Sequence, residues 1–186
     1  LTAGVDTQKD RLEVQVIGWA DNLEAWVTEY KIIWGNPATQ EVWQELDEFL
    51  RNTYQTEDGR RLNIAATCVD SGFMTDQVYG YTRGKNSRRI FAIKGASVAG
   101  KPIVSKPQFV GRRKTALFTV GGDTAKEFIH ARLTDKKTNL IHFPNTVDEE
   151  YFRQLTAERR VPKIYKGKTT LVWKQTRKRN EALDSF

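Results

Sequence analysis

The chain has 186 residues, 28% charged and 39% hydrophobic, with 30 Lys and Arg against 23 Asp and Glu for a net charge of +7. That length can bury a core of ordinary size, and nine Phe, six Tyr and five Trp exclude a disordered chain. One cysteine and two histidines exclude a disulfide framework, a Cys-based zinc site and a three-His centre, and no apolar run nears the ~20 residues of a membrane span.

Ala3–Val5 starts an apolar segment, and Leu12, Val14 and Val16 alternate with Glu13 and Gln15 at the period of a half-buried strand. Trp26, Thr28 and Tyr30 continue after an Asp21-Asn22 turn, which predicts a three-strand meander. Asn36-Pro37 signals a helix start, followed by Val42, Trp43, Leu46, Phe49 and Leu50 on one face. Leu62–Val69 reads as one buried strand ending at Asp70, then a short helix over 73–83 and a strand Ile90–Ile93 complete a crossover. A strand near Ala116–Val120 precedes a helix with Asp123 as its N-cap, and Thr146–Glu149 reads as a capping box for another. A hairpin across Gly167 joins strands at 161–165 and 169–174, and a closing helix starts near Arg179. The whole is a mixed α/β sheet in a single domain, residues 1–186.

The charge is unevenly spread. Residues 1–76 hold 6 basic and 14 acidic side chains, 77–122 hold 10 basic and no acid, and 123–186 hold 14 basic and 9 acidic. A solvated face mixes signs, so an acid-free stretch of 46 residues points to a polyanion. Its glycines and prolines read as strands and loops, not as the amphipathic basic helix of a membrane-surface protein, so nucleic acid is the expected partner. Lys94, Lys101, Lys106, Arg112, Arg113 and Lys114 supply this contact, joined by Arg177, Lys178 and Arg179 near the end.

Gly95–Lys101 mimics a phosphate-binding loop, but Pro102 stands where a Ser or Thr hydroxyl must hold Mg²⁺, so no ATP site is expected. The acids are more informative. Asp6 ends the first apolar strand and Asp70 ends the central one, while Glu181 and Asp184 lie three residues apart on the closing helix. Each alone reads equally as a cap of the turn that follows. Together they suggest a carboxylate cluster, which is costly without a cation and whose oxygen donors select Mg²⁺ or Mn²⁺. Carboxylates beside a basic surface are what two-metal phosphodiester hydrolysis requires.

Four blocks then stand in order: Leu1–Gln8 (LTAGVDTQ), Ile93–Val98 (IKGASV), Gly122–Glu127 (GDTAKE) and Arg179–Asp184 (RNEALD). With them the chain resembles the C-terminal nuclease domain of the lambda-type (GpA family) phage terminase large subunits. The resemblance implies an RNase H-like (integrase/RuvC-type) fold and a metal-dependent endonuclease that cuts concatemeric DNA during genome packaging. It places the metal-binding and catalytic acids at Asp6, Asp70, Asp184 and Glu181, with Asp184 the favoured direct ligand and two Mg²⁺ or Mn²⁺ ions as cofactor. It also implies double-stranded DNA as substrate, and an ATPase motor, a small terminase subunit and the portal as partners of the full-length protein in the host bacterial cytoplasm. The motor is absent from these 186 residues, which are read as an excised domain, monomeric in isolation because no heptad or apolar stripe appears.

Other readings stand beside these. The acids serve as caps in a non-catalytic DNA-binding module, or the fold belongs to a resolvase-like nuclease. His130 and His142 read as packed or surface residues, Cys68 as a buried inert thiol, and Trp26, Trp34 and Trp43 as core.

Overall fold

A computed structural model describes residues 1–112, 114–135, 140–165 and 167–186. The meander forms as expected: β1 (Thr2–Thr7), β2 (Arg11–Trp19) and β3 (Ala25–Trp34) pair antiparallel in sequence order. Helix α1 (Glu41–Phe49) buries Val42, Trp43, Leu46 and Phe49, the face read from the sequence. It starts four residues after Pro37, because Asn36 accepts a hydrogen bond from the Ala38 amide and closes a turn first.

The segment Leu62–Val69 is two elements, not one. Arg61–Asn63 (β5) pairs with Thr53–Gln55 (β4) in a small ribbon, and Ala66–Asp70 (β6) enters the main sheet. Between them the Ala65 amide turns aside to the Leu1 carbonyl, which breaks the apolar run. Helix α2 (Thr75–Thr82) leads to β7 (Ile90–Gly95), then β8 (Gln108–Val110) and β9 (Thr115–Val120). Neither β4, β5 nor β8 was legible, since three residues are too few to establish a period.

Two helix starts differ from expectation. Helix α3 (Gly122–Thr134) has Gly121 at its cap and carries Asp123 within its first turn. Helix α4 (Glu149–Leu155) is capped by Asp148, whose side chain accepts from the Tyr151 amide, so Thr146 is not the cap. After α4 come the hairpin β11 (Glu158–Tyr165) and β12 (Lys168–Gln175), and α5 (Glu181–Asp184) closes the chain. Ile141–His142 forms the short strand β10.

The main sheet has eight strands in the order β10-β3-β2-β1-β6-β7-β9-β8. β1, β6, β7 and β9 run parallel, β2 is antiparallel to both β1 and β3, β8 is antiparallel to β9, and β10 is parallel to β3. Ala3, Val5, Leu12, Val14 and Val16 pack with α1 and α2 on one face. Val27, Ile129, Tyr151, Leu155, Ala182 and Leu183 form a second core beneath α3, α4 and α5 on the other. Of the three tryptophans expected in the core, only Trp43 is buried; Trp26 and Trp34 are exposed. Their strand alternates faces, and at these positions the side chains meet His142 and the Arg11 guanidinium, not packed helix.

Candidate active site

β1 and β6 are parallel neighbours with Val5 opposite Val69, so Asp6 and Asp70, each one residue further on, stand side by side at the carboxyl ends of their strands. Ligands of open α/β sheets bind outside this end. Asp6 is also the cross-strand partner of Glu13 on β2, which places both acids on the face that carries α3, α4 and α5. Helix α5 lies on that face and delivers Glu181 and Asp184.

Asp6 is buried, and burial pushes its carboxyl from the ordinary 3.8 up to about 7. A hydrogen bond from Gln8 Nε2 (2.5 Å) opposes the shift, while the charges of Asp184, Asp70 and Glu181 add to it. Asp70 is also raised, by burial, against the Gly72 amide (3.2 Å to Oδ2) and the nearby Lys94 ammonium. Asp184 keeps access to solvent along one side. Even so, surrounding protein, with Glu158, Asp70 and Glu181, pushes its carboxyl up to about 6, and Lys126 offsets part of this. The charges of Asp70 and Asp184 both reach Asp6, and that of Asp70 reaches Asp184, so the three acids belong to one electrostatic neighbourhood. Among the described residues no group of three His, Cys, Asp or Glu side chains is already set to hold a metal ion.

Glu181 is placed differently. Its Oε1 accepts from Arg11 Nη2 (2.7 Å) and its Oε2 from Arg179 Nε (3.3 Å). The same two guanidinium groups reach the fully buried Glu13, from Arg11 Nε (2.5 Å) and Arg179 Nη2 (2.8 Å), and the Tyr30 hydroxyl also donates to Glu13. Two carboxylates and two guanidinium groups thus neutralise one another behind Asp6 and fasten α5 to β2. Arg179, expected as a DNA contact, pairs with both acids of this network while its side chain stays 40% exposed.

Asn180 ties the site to the late hairpin. Its Nδ2 donates to Asp184 Oδ2 (2.8 Å) and to Glu158 Oε1 (3.1 Å), and Glu158 also pairs with Lys126 Nζ (2.7 Å). Gln8, Arg11, Glu13, Lys126 and Asn180 were missed as site residues. Lys126 had a signal: it lies three residues from the buried Ile129, so a charge falls on the core-facing stripe of α3. Arg11 and Glu13 had none, since their strand reads as an ordinary alternating one.

Lys94, Lys101, Lys106, Arg112 and Lys114 are all exposed, as are Arg177 and Lys178; Arg113 lies outside the described residues. The Gly95–Lys101 segment leads to a bridge between Val104 and Val120, with no helix at its end. Beside Asp184 a cleft of about 460 Å³ is lined chiefly by apolar side chains, among them Ile17, Ile93, Val120 and Leu183. Cys68 borders it, half-buried, its thiol pushed up by burial. His130 packs edge-on against Trp173, and His142 stacks on Trp26.

A family model described as "Terminase large subunit gpA, endonuclease domain" matches residues 1–186. The chain is 37% identical to the terminase large subunit of Escherichia phage lambda, over 100% of this chain and 31% of that protein. It is 38% identical to the terminase large subunit of Enterobacteria phage P21, over 99% of this chain and 30% of that one. The chain therefore spans about a third of the length of these curated relatives. No solved structure matches it.

Proposed function

From the premise that the chain belongs to the terminase large subunit gpA endonuclease family, we propose that it is a metal-dependent endodeoxyribonuclease acting on phage DNA during genome packaging. The observation that carries this reading is that Asp6 and Asp70 stand side by side at the carboxyl ends of two adjacent parallel strands, with Asp184 of α5 near enough to help raise Asp6 to about 7. Neighbouring carboxylates that supply only oxygen donors suit a hard divalent cation. Asp6, Asp70 and Asp184 would hold two Mg²⁺ or Mn²⁺ ions. Bound there, the ions supply positive charge that acidifies water and offsets the charge building on the phosphate.

The remaining chemistry belongs to the chain itself. Gln8 orients the Asp6 carboxyl, and Asp6, which ionises near 7, must lose its proton to act as a ligand. Arg11 and Arg179 occupy both oxygens of Glu181, which supports Glu181 as a positioning residue and Asp184 as the direct donor of α5. Lys94 and Lys126 place cations beside Asp70 and Asp184, suited to the non-bridging oxygens of a phosphate.

The strand order β3-β2-β1-β6-β7, with β2 antiparallel to the rest and acids ending β1 and β6, supports an RNase H-like fold. We further propose double-stranded, concatemeric DNA as substrate. In the full-length protein the domain lies C-terminal to an ATPase motor and works with a small terminase subunit and the portal in the host cytoplasm. The test is plasmid nicking with Mn²⁺ or Mg²⁺, abolished by EDTA and reduced at least about 100-fold by Asp70→Ala. A folded Asp70→Ala protein that cuts at the wild-type rate overturns the assignment. Salt-sensitive DNA binding with no metal-dependent cutting would make the chain a docking module.

A further inference from the structure

Among the described residues the β11–β12 ribbon is the longer of two strand pairs outside the main sheet, and its two faces differ. In an antiparallel ribbon, residues paired across the strands share a face. On one face the root packs against α3: Glu158 pairs with Lys126, Arg160 with Glu127 (3.3 Å), and Trp173 meets His130. The opposite face carries Arg159 opposite Lys174, Val161 opposite Val172, and Lys163 opposite Thr170. All three of these cations are exposed, no acid shares their face, and among the described residues none has an ion-pair partner. Arg159, nearest the root, also borders the groove against α3.

We infer that this face of the ribbon lies along the phosphate backbone of the DNA duplex whose scissile phosphate sits at the acids. This rests on the nuclease reading above. Arg159 and Lys163 are four residues apart, about 13 Å along a strand, which is about four base-pair steps of a duplex axis. Three free cations with no carboxylate among them complement a phosphate row, and none is spent on a structural pair. The ribbon is also anchored where cutting would occur. Asn180 donates to Glu158 at the start of β11 and to Asp184, and its Oδ1 accepts from Gln175 (3.0 Å) at the end of β12. Arg177 and Lys178, both exposed, fill the step from β12 to α5, so the cationic track continues from ribbon to acids.

The experiment is fluorescence anisotropy of a labelled 30-base-pair duplex with the 186-residue chain across a KCl series, without divalent metal. The triple variant R159A/K163A/K174A is expected to lower the slope of log Kobs against log salt by about 2.7, at about 0.9 per phosphate contact. Between 50 and 200 mM salt the wild type then loses about 40-fold more affinity than the variant does. The charge-keeping swap R159K/K163R/K174R should restore the wild-type slope. Parallel slopes for wild type and alanine variant, or failure of the swap to restore, overturn the inference. Metal-dependent nicking by the wild type is scored separately. If nicking is absent, the nuclease reading falls while the slope result still decides the ribbon; if nicking occurs with parallel slopes, only the ribbon falls.

Discussion

A Cβ built on Gly4 would stand 2.0 Å from the Ser185 carbonyl oxygen, so the closing helix rests directly on the backbone of the first strand. Gly4 lies two residues before Asp6, and Ser185 follows Asp184. Contact with bare backbone therefore sets the separation of the first and last acids. The Ser185 hydroxyl is turned inward to the Glu181 carbonyl (2.8 Å), which keeps the short helix closed against this surface.

Gly4→Ala should accordingly push α5 away, since the Ser185 atoms it would meet are all backbone and none can rotate aside. We expect a loss of about 1–3 kcal/mol of stability and about 100-fold in metal-dependent cutting, as for an ångström-scale misplacement of a catalytic group. Melting temperature and plasmid nicking read the two effects. A Gly4→Ala protein that cuts normally would show that α5 does not set the acid geometry.

Asp6 makes stability depend on pH in an unusual direction. Its folded carboxyl ionises near 7, against an ordinary 3.8. Between about pH 4 and 7 the folded chain keeps a proton that the unfolded chain has lost, so stability falls as pH rises through this window. The contribution is on the order of 4 kcal/mol. Asp6→Asn should melt higher than wild type at pH 8 without metal, show a flatter pH profile and fail to cut. A profile as steep as the wild type's would contradict the assignment.

Metal should reverse that penalty. Mn²⁺ binding at pH 6.5 is expected to release protons, because Asp6 and Asp184 ionise near 7 and 6 in its absence. Calorimetry in two buffers of different ionisation enthalpy measures the number released, and apparent affinity should weaken as pH is lowered towards 5.5. Binding with no proton release would mean that the ion sits elsewhere.

The Arg11 network separates buried from exposed pairing. Arg11 serves Glu13 and Glu181, both buried, whereas Lys31 pairs with the exposed Glu45 at 3.0 Å. Arg11→Ala leaves buried carboxylates short of a partner and should cost about 3–5 kcal/mol. Lys31→Ala should cost less than about 1 kcal/mol. Urea denaturation compares them directly, and equal costs would show that the network is not what holds α5 to β2.

Gly121 does for the basic loop what Gly4 does for α5. A Cβ there would meet the Lys101 carbonyl oxygen at 2.2 Å and that of Pro102 at 2.5 Å. Gly121→Ala should displace the loop bearing Lys101 and weaken duplex binding several-fold, with Mn²⁺ affinity kept. A matching loss of metal affinity would show that the loop supports the acids.

The sequence by itself carried the local terms. Alternation over 3–34 set the meander, a helical apolar stripe set α1, and three acids at the ends of core-forming segments marked where charge would gather. These follow from side-chain order along the chain, which pattern and composition express directly. Short elements escaped, as did the true caps at Gly121 and Asp148, because neighbouring polar residues compete for one cap on small differences. The tertiary structure alone separated the surroundings of the two helix acids. Glu181 and Asp184 are indistinguishable on a helix of two acids three apart, yet one faces two guanidinium groups and the other faces Asp70 and Lys126. The pairing of Arg179 with Glu13, 166 residues away in sequence, was likewise invisible in the linear order. A carboxylate's role is set by the charges packed around it, and those arrive from strands that the linear order keeps apart.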